Sequence, residues 1–257
     1  MLDYAAFPEQ RQNKIRQLLR EQGRVVCTIL ARDMQVSEHT IRRDLNELAQ
    51  DGVCRRVHGG AVSMLEVAGT FEQRIEQNQA EKIKIAQACS LLIKRGACVF
   101  IDSGSTNLEI ARNLPTQIPF TVVTNSPSIA MESMKSPLCE VILIGGKLNR
   151  QIGATLDPSA VKQINHIHFD QCFIGGCALD PQMGVTIFDY EEAEFKKVLI
   201  ERSNQVIMGV TADKLLGVAR YTIASCDQIS IVVMDKSIAP KAAELFADMP
   251  LKIVMAS

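Results

Sequence analysis

The sequence predicts an α/β chain in two unequal parts. Residues 1–62 hold three short segments of helical apolar period and then a basic hairpin with a Gly-Gly pair, whereas beyond residue 80 seven short apolar runs alternate with helical segments. A chain of 257 residues also exceeds what one core usually fills, so a small domain followed by a large one is the natural partition. The expected division is residues 1–62, a connector over 63–79 and a large domain over 80–257.

In the small part, a first helix is expected over 11–21. Ile15, Leu18 and Leu19 share one face, Arg11, Lys14, Arg16 and Arg20 surround it, and Gly23 ends it. A second helix carries Ile29, Leu30, Ala31 and Met34 toward the core and gives way to a turn at Gln35 and Val36. Ser37 suits the N-cap of a third helix reaching Gln50, because its hydroxyl can accept from a first-turn amide that has no partner within the helix. In that helix Ile41, Leu45 and Leu48 form the inward stripe, which leaves His39, Thr40, Arg42, Arg43 and Asn46 facing out. These side chains can donate to base edges or phosphates. Residues 53–61 then read as a strand, a turn at Gly59 and Gly60 and a return, with Arg55, Arg56 and His58 near the tip. Two short helices, a tight turn, a capped third helix and a basic hairpin make a winged helix-turn-helix, which lays its third helix in the major groove and its wing on the backbone or minor groove. The DNA contacts expected are Ser37, His39, Thr40, Arg42, Arg43, Asn46, Arg55, Arg56 and His58. Charge is consistent with this but weak: ten Lys/Arg against eight Asp/Glu give residues 1–62 a net +2, and eighteen against twenty-one give the remainder −3.

The connector is polar and poorly periodic, and it leads into a helix expected over 80–95 with Ile85, Ala86, Cys89, Leu92 and Ile93 on one face. The apolar runs lie at 98–101, 121–124, 141–144, 171–174, 206–210, 229–234 and 252–255. Continuous apolar strands between helices predict a Rossmann-like, mostly parallel sheet covered on both faces. Ligands of such sheets sit beyond the carboxyl ends of the strands. There the sequence places Asp102, Ser103, Gly104, Ser105, Thr106 and Asn107, whose small residues, hydroxyls and following helix N-terminus suit a phosphate. Thr124, Asn125 and Ser126, then Gly145, Gly146 and Lys147, then Gly175 and Gly176 end the next strands. A helix starting near Asp189 sets Glu192 and Lys196 on one face, either as a surface ion pair or as a ligand contact.

Other classes are excluded. Eight cysteines are scattered through apolar runs without a Cys-x-x-Cys, as buried free thiols would be, and His166 and His168 near Asp170 and Cys172 read as structural rather than metal-binding. No metal and no cofactor are expected. No apolar run approaches the ~20 residues of a membrane span, and residues 1–10 lack a leader pattern, so the expected location is cytoplasmic.

The string Thr40-Ile41-Arg42-Arg43-Asp44-Leu45 and the wing His58-Gly59-Gly60-Ala61 resemble the DeoR family of bacterial transcription repressors, and the likeness extends from about Arg11 to the C-terminus. The resemblance implies a homo-oligomeric repressor of a carbohydrate operon, bound to double-stranded DNA and relieved by a phosphorylated sugar or related metabolite in a C-terminal sensor domain. That domain resembles in turn the ribose-5-phosphate isomerase fold. The likeness equates Ser103, Gly104, Ser105 and Thr106 with a phosphate loop and puts Lys196 where such proteins place a ligand-facing lysine, with Lys147 and Asn125 at neighbouring strand ends. Three positions depart from the pattern. Val26 replaces the usual Ser or Thr at the start of the second helix; Gly175 to Leu179 lacks the isomerase carboxylates; and Thr211-Ala212-Asp213-Lys214 alters a family Asp-x-Ser-Lys, leaving the roles of Asp213 and Lys214 open. An isomerase-like enzyme with a DNA-binding appendage is the alternative, and it would need the positioned base that segment 175–179 lacks. An activator sensing an unphosphorylated ligand shares every feature.

Overall fold

The computed structural model describes residues 4, 6–65 and 69–257. Residues 66–68 of the expected connector, and residues 1–3 and 5 of the expected small domain, lie outside the described residues.

The small part runs α1 (Pro8–Gln22), β1 (Arg24–Val26), α2 (Cys27–Asp33), α3 (Glu38–Gln50), β2 (Cys54–Val57) and β3 (Gly60–Met64). Gly23, at φ 73°, ends α1 in the left-handed region and returns its amide to the Leu19 carbonyl at 2.9 Å. Ser37 caps α3 by accepting from the Thr40 amide. Ile15, Leu19, Leu30, Ile41, Leu45 and Leu48 bury together between the three helices. Val26 has no side-chain oxygen to cap α2, and the wing does it instead: the Cys27 amide donates to the Gly59 carbonyl at 2.8 Å. Three expectations are corrected. Arg11 does not sit on the surface but is buried in a forked ion pair with Asp44, locking α1 to α3. Ile29 faces solvent. The wing turn is His58-Gly59, and Gly60 already belongs to β3, where a Cβ would lie 1.9 Å from the Val25 carbonyl oxygen.

The connector is partly helical. Thr70 and Gln73 form a capping box for α4 (Phe71–Glu76), and α5 (Gln79–Ser90) follows, ending before the expected residue 95.

The large part comprises β4 (Cys98–Ile101), α6 (Ser105–Arg112), β5 (Phe120–Thr124), α7 (Pro127–Ser133), β6 (Cys139–Leu143), β7 (Leu148–Asn149), β8 (Ala154–Thr155), α8 (Pro158–Ile164), β9 (Gln171–Phe173), β10 (Ala178–Asp180), β11 (Gly184–Ile187) and α9 (Tyr190–Glu201). It continues through β12 (Val206–Gly209), β13 (Gly217–Val218), β14 (Tyr221–Ala224), β15 (Ile231–Asp235), α10 (Ala239–Leu245) and β16 (Lys252–Ala256). The seven apolar runs become one parallel sheet in the order β16-β15-β12-β9-β4-β5-β6. Alternate residues feed two cores: Phe100 packs with Phe169 and Phe195 on one face, while Val99 and Ile101 join Ile85 and Cys89 on the other. This is the layered arrangement that continuous apolar strands require.

Beside this sheet lie an antiparallel sheet, β10-β11-β14, and a hairpin, β7-β8. Between the 3-10 turn Ala212–Lys214 and β14, the short β13 runs parallel to β3, with Gly217 beside Ser63 and Val218 beside Met64. The wing strand β3 therefore pairs with β2 along one edge and with β1 and then β13 along the other. The small and large parts share a sheet. Arg24 of β1 reinforces the junction by reaching both carboxylate oxygens of the buried Asp180 at 3.0 and 3.1 Å.

Candidate functional site

Two surfaces carry chemistry. On α3, His39, Arg42, Arg43 and Asn46 are exposed on the side opposite the buried stripe, with Thr40 half-buried beside them. Arg42 lies 3.1 Å from Glu38 and Arg43 lies 3.2 Å from Glu47, each one helical turn away. Exposed pairs of this kind stabilise a helix by only ~0.2–0.5 kcal/mol, so a phosphate or guanine edge can displace either carboxylate readily. Ser37 is occupied as a cap, its hydroxyl also 2.9 Å from that of Thr40. In the wing, His58 is the exposed tip. Arg56 is folded back, donating to the Gly60 carbonyl at 2.7 Å, and one buried guanidinium nitrogen of Arg55 has no partner in the free protein.

The second surface is a cavity of about 240 Å³ at the carboxyl ends of β4, β9 and β12, where the sheet topology places ligands. Ser103, Gly104, Ser105, Thr106 and Asn107 form one wall. Gly104 precedes α6 with φ 140°, a conformation open to glycine, and no side chain caps the helix. The first-turn amides of α6 thus have no partner inside the helix, and they carry the positive end of its dipole. Asn107 braces the wall by donating to the carbonyls of Asp102 and Phe173 at 2.8 and 3.0 Å. The Ser103 hydroxyl, the Thr106 hydroxyl and one Asp102 oxygen are buried without hydrogen-bond partners.

Behind the wall lies a buried charge cluster. The Lys196 ammonium donates to the Gly175 carbonyl at 2.8 Å and lies 3.0 Å from Asp102 and 2.6 Å from Glu192. Burial alone would lower its pKa, but the two carboxylates outweigh that and hold it above the ordinary lysine range. Burial conversely pushes the Asp102 carboxyl up, with Lys196 pulling against it. The surface reading of Glu192 and Lys196 is thereby corrected: both line the cavity, and all three ammonium protons of Lys196 already have acceptors. Gly175 touches the same cluster, since a Cβ there would lie 2.6 Å from the Ser103 carbonyl oxygen and 3.3 Å from the Lys196 ammonium.

The cations facing the cavity without an ion pair or side-chain hydrogen bond among the described residues are Arg74 of α4 and Lys214 of the 3-10 turn. Desolvation lowers the Lys214 pKa. Sequence reasoning missed Arg74 because it falls in a segment read as connector, and left Lys214 open. Three expected contacts, Lys147, Asn125 and Asp102, do not line the cavity. Lys147 is exposed outside it, and Asn125 is buried, donating to the Thr155 carbonyl at 3.2 Å, with its amide oxygen unpartnered. Asp102 stands behind the cavity wall, held by Lys196 and by the Gly175 amide at 2.8 Å.

Residues 11–67 match the DeoR-like helix-turn-helix domain, and residues 77–236 match the DeoR C terminal sensor domain. The HTH-type transcriptional regulator GolR of Listeria innocua is 32% identical over 251 residues, which is 96% of this chain and 99% of that protein. The HTH-type transcriptional regulator GlpR of Haloferax volcanii is 33% identical over 231 residues, covering 89% and 90% of the two chains. The glycerol-3-phosphate regulon repressor of Escherichia coli K12 is 31% identical over 227 residues, covering 88% and 90%. Among solved structures, ribose 5-phosphate isomerase A of Methanocaldococcus jannaschii aligns at a TM-score of 0.41 and 16% identity over 54% of this chain and 55% of that one. The sequence relatives bear regulator and repressor names, and none of these is an enzyme name. With both domains matched in order along one chain, the protein belongs to the DeoR family of DNA-binding transcription regulators.

Proposed function

We propose that the chain represses a carbohydrate-metabolism operon and releases it when a phosphorylated sugar or related metabolite enters the cavity beside α6. Residues 1–62 would read the operator, 63–79 would connect, and 80–257 would sense. The observation that carries the reading is the conjunction, in one cavity, of an uncapped helix N-terminus, unsatisfied Ser103 and Thr106 hydroxyls, and the unpaired cations Arg74 and Lys214. A dianionic phosphate supplies three acceptor oxygens for those donors. An unphosphorylated sugar would bring no charge to Arg74 and Lys214, for which Asp213 and Glu192 are the only carboxylates lining the cavity among the described residues, so the phosphorylated class is favoured. The name of the glycerol-3-phosphate regulon repressor points to the same chemical class.

Response to the effector would pass through β13. Lys214 faces the cavity, and three residues later Gly217 pairs with Ser63 of the wing strand. Ser37, His39, Thr40, Arg42, Arg43, Asn46, Arg55, Arg56 and His58 are assigned to DNA, and Ser103 to Asn107 with Arg74 and Lys214 to the effector. Lys196 holds the floor of the cavity by fixing Asp102 and the Gly175 carbonyl. A thermal-shift screen of phosphosugars, their dephosphorylated counterparts and inorganic phosphate tests this. A phosphosugar present at 100 times its Kd stabilises by ~2.7 kcal/mol and raises the melting temperature, whereas equal shifts from the dephosphorylated sugars would refute the phosphate assignment.

A further inference from the structure

A second cavity adjoins the one beside α6. It measures about 340 Å³ and lies between the C-terminal end of α1, from Leu19 to Gly23, and the chain around β13. Leu65 and Asp213 line both cavities and so stand between them. They are held differently. Asp213 is tied down, because the Asn78 side chain donates to its carboxylate at 2.9 Å. The half-buried Leu65 side chain rests on Gly217, where a Cβ would lie 2.6 Å from its Cγ and Cδ2 atoms. Leu65 also follows directly on the wing strand β3, and its amide donates to the Val218 carbonyl of β13 at 2.9 Å. Every other described residue lining the cavity beside α6 lies at position 74 or beyond, so Leu65 is the one contact continuous with the wing. A ligand shifts an equilibrium only by the difference in its affinity for the two states, and this contact is where docking of β3 changes what a ligand meets.

Taking the cavity beside α6 as the effector site, we propose that Leu65 is the residue the effector displaces: the bound metabolite pushes this side chain into the cavity lined by Gly217, and the pairing of β13 with β3 loosens with it. A cavity of about 150 Å³ accepts a benzene ring, so the second cavity has room for a leucyl side chain. Glycine at position 217 leaves the path open. The coupling is reciprocal: operator, which favours Leu65 in place, weakens effector binding by the factor by which effector weakens operator binding.

Two variants of opposite sign test this in the full chain. Glycerol 3-phosphate, ribose 5-phosphate and glucose 6-phosphate are titrated by calorimetry, and whichever binds the wild type most tightly is carried forward. Leu65→Ala leaves little to displace, so it should bind the phosphosugar roughly threefold or more tightly than the wild type, while the ratio of operator affinities without and with phosphosugar falls by about half or more. Gly217→Ala closes the retreat of Leu65 and should weaken phosphosugar binding by a similar factor. In Leu65→Ala/Gly217→Ala the new methyl meets no leucine, so this double variant should bind like Leu65→Ala, whereas a general disturbance of β13 would persist in it. Leu65→Met, which conserves volume, should keep the wild-type ratio. If Leu65→Ala fails to fold, the milder Leu65→Val is expected to tighten binding in the same direction. Unchanged or weaker phosphosugar binding on truncating Leu65, or a double variant as weak as Gly217→Ala, overturns the proposal and leaves the effector site standing. A wild type that binds none of the three phosphosugars removes the effector reading and this inference with it.

Discussion

Replacing Lys196 with Met separates a supporting lysine from a ligand-binding one. The side chain is 2% exposed and neutralises the fully buried Asp102 as well as Glu192. Met fills most of its volume but leaves two carboxylates and the Gly175 carbonyl without their donor. Breaking a buried ion pair from one side costs ~3–5 kcal/mol, and for a chain of this size each kcal/mol lowers the melting temperature by ~2–4 °C, so a loss of roughly 10 °C is expected. The pH dependence has a definite sign. Burial already raises the Asp102 pKa, and removing the opposing ammonium raises it further. A carboxyl whose folded pKa exceeds its unfolded one contributes stability below the unfolded value and loses it as pH rises through the folded one. The deficit of the variant is therefore smallest near about pH 4 and grows toward about pH 7. Adding Asp102→Asn should restore part of the loss by removing the stranded charge. The chain has no tryptophan, so urea unfolding is followed by circular dichroism. A loss under ~1 kcal/mol, constant from about pH 4 to pH 7, would refute the assignment of Lys196 to the buried cluster.

Further outcomes follow from the two surfaces and their junction. Arg42→Ala and Arg43→Ala should each weaken operator binding with little change in stability, by ~1–3 kcal/mol and with relaxed sequence preference if the lost contact is to a base, or uniformly and with a shallower salt slope if it is to phosphate. Fluorescence anisotropy across salt concentrations measures both, and wild-type affinity in both variants would remove α3 from the DNA. Ser105→Asp and Thr106→Asp put a fixed charge at the N-terminus of α6, where the effector's charge is assigned, so the operator should still be bound while the metabolite no longer releases it; unchanged release midpoints in both would move the effector elsewhere. Arg24→Ala strips one partner from the buried Asp180, which keeps the amides of Gln182 and Met183 at 2.9 and 3.0 Å. The expected stability cost is ~1–3 kcal/mol, and the effector's influence on operator affinity should fall; an unchanged ratio of affinities with and without effector would show the junction idle.

Periodicity exposed most of the secondary structure. The stripe Ile41, Leu45 and Leu48 and the cap at Ser37 were readable because both follow from local rules, one the helical period and the other an unpaired first-turn amide. All seven parallel strands were readable because strands buried on both faces must be continuously apolar. What escaped was short or non-local. β13 has two residues and owes its existence to β3, more than 150 residues earlier, so no window along the chain contains the reason for it. Arg74 falls in a polar segment without clear period, and nothing local marks it until the fold carries α4 to the cavity. Arg11 read as surface because burying a guanidinium is costly without a partner, and its partner, Asp44, sits in the middle of α3, more than thirty residues away. Lys147 sat at a strand end, as the ligand rule asks, but its strand lies two positions away from β4 at the sheet margin, beyond reach of the cavity.

The junction explains how a small ligand could govern a distant DNA face without a large motion. Coupling of ~1–3 kcal/mol changes operator affinity by roughly 5- to 150-fold. A net ~0.5–1.5 kcal/mol for each intramolecular hydrogen bond means that trading one or two bonds at the junction is enough. The bonds available are those of β13 on β3 and the Leu65 amide to the Val218 carbonyl at 2.9 Å. Between them and the cavity stands Leu216, held at φ 61° with its amide on the Leu179 carbonyl and its own carbonyl pressed toward Gly23. A left-handed conformation costs a leucine about 1–2 kcal/mol, so this link is held in a state it would leave if its neighbours shifted. An effector phosphate of the proposed kind, drawing on Lys214, would pull on the chain two residues before that point. In the proposed reading, relaxation of Leu216 on effector binding would loosen β13 from β3, the strand that β13 shares with the wing.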